Sequence, residues 1–189
     1  MATILKRVSD PTELAGIQAL QAANLGRHLP PGERTREGFL TSEYTPGFLE
    51  ELHRHAPAVV AVDGAAVVGY ALVATPAARS LASSLGGLFE SIDAAIVDGR
   101  ALSARRSLVC AAVCVAKSHR GRGILAGLYG RMRAEFAPDY DCVITDIARE
   151  NVRSLAAHRR AGFETCGSLR YEGQVWDLVI CDWVKAVRP

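Results

Sequence analysis

The sequence predicts a mixed α/β domain, α+β in its sheet, with helices leading and a β-α-β-α-β-β second half. Three observations predict it. Apolar runs of strand length alternate with segments of helical period beyond residue 105. An Asp-Gly pair inside AVVAVDGAAVVGYALV (58–73) folds that run into a hairpin. Ahead of the hairpin, Asp10-Pro11 and Thr45-Pro46 are helix-start signals, each a capping residue followed by a proline suited to the first helical position.

The elements follow in order. ATILKRV (2–8) alternates like an edge strand, and TELAGIQALQAANL after Asp10-Pro11 reads as a helix. RHLPPGERTREGF (27–39) reads as a polar loop bearing Pro and Gly. The helix opened by Thr45-Pro46 carries Phe48, Leu49 and Leu52 on one face. Residues 77–104 hold one or two short helices around LFESIDAAI. SLVCAAVCVAK (107–117) reads as a buried strand. ILAGLYGRMRAEF (124–136) is a helix, with Ile124, Leu128, Met132 and Phe136 four apart and Pro138 beyond its end. CVITDIA (142–148) is a strand, and NVRSLAAHRRA is a helix closed by Gly162. FETCGSL and QVWDLVICDW are the last strands. The 189 residues suit a single domain with a full core, and no repeat or low-complexity linker divides them.

Composition narrows the class. With 49% apolar and 22% charged residues the chain reads as globular, and no apolar run nears the roughly 18 residues of a membrane helix. The N-terminus MATILKRVSDP lacks the apolar core of a signal peptide. Five cysteines (Cys110, Cys114, Cys142, Cys166, Cys181) form no CxxC pair, which points to reduced thiols, a cytoplasmic protein and no metal. The net charge of +2 argues against a general nucleic-acid binder, yet residues 105–160 hold eleven Lys/Arg against five Asp/Glu, +6 locally and −4 elsewhere. That segregation suits a grip on a polyanion, and equally a solvated surface arranged by chance.

The turn between strand 107–117 and helix 124–136 carries the first functional signal. Arg120, Gly121, Arg122 and Gly123 stand where a helix N-terminus leaves backbone N–H groups unpaired and its dipole favours an anion. Glycines there keep Cβ atoms out of the way of a phosphate, and the arginines add charge. The pattern is neither GxxxxGK[ST] nor GxGxxG, so on these residues alone an anion cradle and an ordinary surface turn stand level.

Arg120-Gly121-Arg122-Gly123-Ile124-Leu125 fits five positions of R/Q-x-x-G-x-G/A, with Leu125 in place of the sixth. Asn151, Ser154, Gly162 and Phe163 fit N-x-x-S/A-x-x-x-Y-x-x-x-G-F, with His158 in place of the tyrosine. In this order and spacing, across residues 107–185, the chain resembles the GNAT superfamily of N-acetyltransferases. The resemblance implies the acyl-CoA N-acyltransferase fold, a central, mostly antiparallel sheet splayed at the CoA site and flanked by helices. It implies acetyl-CoA as co-substrate, a primary amine of a small molecule or peptide as acceptor, and direct attack in a ternary complex. Backbone groups of Val113, Cys114 and Val115 would pair with the pantetheine arm. The amides of Gly121, Arg122, Gly123, Ile124, Leu125 and Ala126 would hold the pyrophosphate, with Arg120 and Arg122 adding charge beside it. Asn151 would hydrogen-bond the arm or order a water near the sulfur, and Ser154 and His158 complete the cofactor set. His158, two turns from Asn151 on one helix face, would donate to the leaving thiolate. A homodimer through the C-terminal strands is typical of the family.

The base is left open. Asp146 closes its strand five residues before Asn151, where the ribosomal-protein alanine acetyltransferases of this superfamily have a glutamate. At an ordinary pKa near 3.9 it would act through water or orient the amine. Glu90 and Asp93 rank below it. Cys114 in a central strand reads as a small buried hydrophobe rather than a nucleophile. Tyr44, Phe48 and Phe89 are the expected acceptor-pocket residues, with Phe39 and His53 as further wall candidates. The acidic balance outside 105–160 favours a cationic acceptor. A non-catalytic acyl-CoA-binding sensor or interaction module of the same fold is the alternative reading. A nucleic-acid binder is disfavoured, because Tyr129, Phe136 and Tyr140 are the segment's sole aromatics and none lies in the turn.

Overall fold

The computed structural model describes residues 3–184 except Asp98 and Glu172. Its element order is β1 (Ile4–Arg7), α1 (Pro11–Ala22), α2 (Pro31–Glu37), α3 (Pro46–His55), β2 (Val59–Asp63), β3 (Ala66–Ala74), α4 (Ser83–Ala94), β4 (Ile96–Val97), β5 (Arg100–Ala101), β6 (Ser107–Val115), α5 (Ile124–Phe136), β7 (Cys142–Ala148), α6 (Val152–Arg160), β8 (Glu164–Tyr171) and β9 (Gln174–Asp182). Seven strands form one mixed sheet in the order β1-β2-β3-β6-β7-β9-β8, and β4 and β5 form a separate small ribbon. Ala2, in the first predicted strand, lies outside the described residues.

Local chemistry sets most boundaries. Asp10 accepts from Thr12 N while Glu13 reaches back to the Asp10 amide, a capping box with Pro11 in the first turn of α1. Thr45 caps α3 through Phe48 N. The stretch 27–39 is not the continuous loop that its composition suggests: Pro31–Glu37 is helical. Pro31 sits at the first helical position, where a fixed φ helps and no N–H is needed, and Gly38 ends the helix at φ 75°.

Two apolar layers enclose the sheet. On one face Tyr70 and Leu72 of β3, Val60 of β2 and Ile144 of β7 pack with Ile17, Leu52 and Leu88 from the helices α1, α3 and α4. On the other, Ala71, Val73 and Val143 pack with Ile124, Leu128 and Met132 of α5 and Leu155 of α6. Leu128 is fully buried there, so Leu128→Ala is expected to lower the unfolding free energy by about 2 to 5 kcal/mol, read from urea denaturation.

Two irregularities at the sheet centre prepare the site. The register of β3 against β6 passes from Leu72↔Ala112 to Val73↔Cys110, so Ala111 is an extra residue in β6. The bulge reverses the side-chain alternation. Val109 and Cys114, five apart, therefore lie in the same layer, and Val113 and Val115 turn to the α5 side. The second irregularity is a parting of strands. β6 pairs with β7 in parallel over Ser107↔Cys142 to Val109↔Ile144, whereas β7 stays paired with β9 along its whole length. Beyond Val109, β6 therefore presents its β7-side edge to open space.

Candidate active site

The turn after β6 is built as a row of free amides. Gly121 and Gly123 both sit at φ 77°, and α5 starts at Ile124 with no side-chain cap. The N–H groups of Gly121 to Ala126 find no acceptor among the described residues. An added Cβ at either glycine would meet nothing within 4 Å, so the amides face open space. Such a row, at a helix N-terminus, fits a pyrophosphate.

The two arginines of this turn have different fates. Arg120 does not point at the cradle. Its guanidinium donates to Val115 O at 3.0 Å, to Glu37 O and Oε2 at 2.9 Å each, and to Asn24 Oδ1 at 2.7 Å. It ties α2 to the base of the turn, correcting the expected role as a phosphate ligand. Arg122 is exposed and has no partner among the described residues.

α6 forms the facing wall. Asn151 caps it, its Oδ1 accepting from Ser154 N at 3.2 Å while Nδ2 donates to Phe39 O at 2.8 Å. Both ends of this amide are thus used to fix the loop after α2 against α6. Gly38 is needed beside it, because a Cβ there would stand 3.0 Å from Asn151 Oδ1. His158 is 2% exposed, and its Nδ1 lies 2.9 Å from Ser154 O, which accepts and so places the ring proton on Nδ1. Nε2 then accepts from Tyr129 OH at 2.8 Å. Desolvation lowers the His158 pKa to about 4, so the ring is neutral at physiological pH with both nitrogens engaged. This geometry corrects the expected role: His158 does not offer an imidazolium proton to a leaving thiolate.

The parting of β6 from β7 opens two adjoining cavities. One, of about 410 Å³, lies between the cradle and α6 and is lined by Val113 to Val115, Gly121, Gly123 to Ala126, Ser154, Ala157 and Ala161. The other, of about 1070 Å³, lies between the loop Phe39–Tyr44, α4 and the ends of β7 and β8. Phe39, Leu40, Val113, Asn151, Ser154 and His158 line both. The two chambers therefore meet at the free edge of β6.

Asp146 lines the larger chamber from β7. No ion pair or side-chain hydrogen bond from another described residue reaches its carboxylate. Desolvation raises its pKa from the usual 3.8 to about 6, only partly offset by its own amide. Tyr44 lines the same chamber and donates to Ala111 O, at the bulge, at 3.1 Å. Phe48 and Phe89 do not line it. Phe48 stacks on Tyr44 at 4.6 Å on the core side, and Phe89 is buried under α4 beneath Arg79. Their apolar rings complete a core, which corrects the expectation that they contact the acceptor. Cys114 is buried and its thiol is pushed up to about 12, so it carries no thiolate near neutral pH.

A sequence model of the acetyltransferase (GNAT) family matches residues 27–163. The chain belongs to the GNAT family of acetyltransferases. No curated protein sequence matches it. Its GNAT fold is similar to that of the NatC complex bound to Gag peptide and CoA, with TM-score 0.65 at 14% identity over 96% of this chain and 99% of that one. A ribosomal-protein-alanine N-acetyltransferase from Brucella melitensis gives TM-score 0.60 at 21% identity over 95% and 99%. A spermidine N-acetyltransferase chimera from Vibrio cholerae and hSSAT gives 0.61 at 15% identity over 100% of both chains. At these identities the likeness is one of fold.

Within this GNAT chain the structure adds residues that the motifs do not name. Tyr129 of α5 holds His158 from behind, with its ring 4.6 Å from that of Phe163. A tyrosine beside Leu128 in a helix whose apolar face includes Leu128 and Met132 is a signal for such a contact, since a buried hydroxyl requires a partner. Gly87 of α4 lines the larger chamber with nothing within 4 Å of an added Cβ, so a side chain there would have room. Glu90 lines that chamber too, whereas Asp93 pairs with Arg79 at 2.8 Å. The described residues hold no cluster suited to a metal ion, and no described helix is long and apolar enough to cross a membrane.

Proposed function

We propose that this GNAT protein transfers an acetyl group from acetyl-CoA to a primary amine of a small molecule or peptide, by direct attack within a ternary complex. The observation that carries the reading is the meeting of two chambers at the free edge of β6. One is lined by unpaired amides and the other by a carboxylate of raised pKa. The open glycine cradle fits the donor: the amides of Gly121 to Ala126 would hold its pyrophosphate, and the backbone of Val113 to Val115 its pantetheine arm. When bound, the thioester supplies an acyl carbon open to attack by a neutral amine.

The chain's own groups then have distinct tasks. Asp146, ionised above pH 6, accepts the proton that the attacking amine must shed; a base near pKa 6 suits an α-amine near 8 better than a lysine amine near 10.4. An amide of the open β6 edge polarises the carbonyl as negative charge grows on its oxygen. Asn151 and His158 act by position: one locks the loop Gly38–Leu40 to α6, the other fills the junction as a neutral ring held by Tyr129 and Ser154. Donor binding alone needs no proton acceptor, so the ionisable Asp146 in the second chamber favours turnover over a sensor.

Calorimetric titration of acetyl-CoA into the wild type and into Gly123→Trp tests the reading. The wild type is expected to bind, and the indole is expected to abolish binding by filling the space over the amides while forcing a side chain to φ 77°. Release of free thiol in the presence of an acceptor amine then reports turnover. A folded wild type that binds no acetyl-CoA would overturn the proposal.

A further inference from the structure

The cations around the smaller chamber are unevenly committed. On the cradle side Arg120 is held by Glu37, Lys117 pairs with Glu33 at 2.8 Å, and His119 Nε2 stands 3.2 Å from Asp63 Oδ2. Carboxylates of the chain itself thus already answer Arg120 and Lys117, and Arg122, which has no partner among the described residues, does not line the chamber. On the α6 side Arg153 and Arg160 line the same chamber, and neither has a hydrogen bond or ion pair among the described residues. Nearby acceptors are not lacking, since Arg34 reaches Glu150 at 2.7 Å.

The placement of these two arginines is regular. Arg153, Ala157 and Arg160 stand at i, i+4 and i+7, one stripe of α6, and all three line the chamber. Ala157, with Ala161 beside it, keeps the space between the arginines free of bulk. The stem of Arg153 is packed against the strap after α2, where an added Cβ on Gly38 would lie 3.5 Å from its Cβ and Cγ. Arg160 lies at the C-terminal end of α6, where the helix dipole opposes an anion, so only a side-chain cation can hold one there.

The donor proposed above carries a pyrophosphate and, on its ribose, a phosphate monoester. Six backbone amides suit the first. The monoester is close to dianionic at neutral pH and is better met by guanidinium forks than by backbone dipoles. We propose that Arg153 and Arg160 form a second anion site in the donor chamber, which holds the ribose 3′-phosphate and makes the protein select CoA over 3′-dephospho-CoA. The inference rests on the acetyl-CoA reading of that chamber.

The test crosses two ligands with two proteins: calorimetric titration of CoA and of 3′-dephospho-CoA into the wild type and into the Arg153→Ser/Arg160→Ser double variant. The wild type is expected to bind CoA about 10-fold or more tightly than the dephospho form, a margin that shrinks as salt is raised. The double variant is expected to bind both ligands within about 2-fold of each other, at the wild type's affinity for 3′-dephospho-CoA. Equal binding of the two ligands by the wild type overturns the phosphate site and leaves the donor chamber standing. Equal weakening of both ligands in the double variant also overturns it, because the arginines would then act on a part the ligands share. If neither nucleotide binds the wild type, the acetyl-CoA reading itself falls and this site with it. Both arginines are exposed, and circular dichroism checks that the variant keeps its fold.

Discussion

Asp146→Asn is expected to lower kcat/KM at neutral pH by about 100-fold or more and, at the same time, to raise the stability of the protein. The first effect follows from the proposed role: an amide cannot take the proton of the attacking amine. The wild-type rate should fall with acidification through about pH 6, and that limb should vanish from the residual rate of the variant. The second effect follows from linkage. The Asp146 pKa is raised from 3.8 to about 6 by desolvation, so the native state prefers the protonated acid. Its contribution to stability is present below pH 4 and is lost as pH rises through 6, leaving a penalty of about 2 to 3 kcal/mol at pH 7.5 that a neutral amide removes.

His158 has the opposite sign. Its pKa is lowered from 6.5 to about 4, so its contribution is present above pH 6.5 and is lost as pH falls toward 4, again by about 3 kcal/mol. In the wild type the two slopes nearly cancel between pH 6.5 and 4. In Asp146→Asn only the histidine slope remains among this pair, so urea midpoints should fall more steeply with acidification than those of the wild type. A variant as active as the wild type would remove Asp146 from the role of base, and one less stable at pH 7.5 would refute its raised pKa.

Arg120→Met is expected to cost about 3 kcal/mol of stability, although Arg120 opens the motif that reads as a phosphate grip. The guanidinium holds four acceptors on three segments, and Asn24, one of them, is 8% exposed. Methionine replaces the stem but not the donors, which leaves the Asn24 carbonyl and the Glu37 carboxylate without their partner. Loss of that tie should also loosen the strap that walls the donor chamber, raising KM for acetyl-CoA more than it lowers kcat. Arg122→Met, two residues on, is the control: exposed and unpartnered, it is expected to change stability by no more than about 0.5 kcal/mol. Urea unfolding of the two variants side by side decides the matter, and equal stabilities would refute the division of labour.

Much of this arrangement was legible in the residues. Gly121 and Gly123 announce a backbone with positive φ, and the structure has both at 77°. Asp10 and Thr45 announce helix starts, and each side chain accepts from an amide two or three residues on. The hairpin at Asp63-Gly64 and the four-residue period of Ile124, Leu128 and Met132 were equally plain. Pro31–Glu37 is not legible in the same way, because two prolines and two glycines mark loops more often than a helix of seven residues.

The chain's own order of residues determined its helices, its turns and the cradle, because caps, glycine φ and apolar period depend on atoms only a few residues apart. Tertiary structure decided the direction of Arg120, whose partner Glu37 is 83 residues away. It also decided the neutral state of His158, held by Tyr129 from another helix, and the raised pKa of Asp146. Phe48 and Phe89 went to the core on the same ground. What a side chain faces, and how dry its surroundings are, depend on which distant segments the fold brings against it.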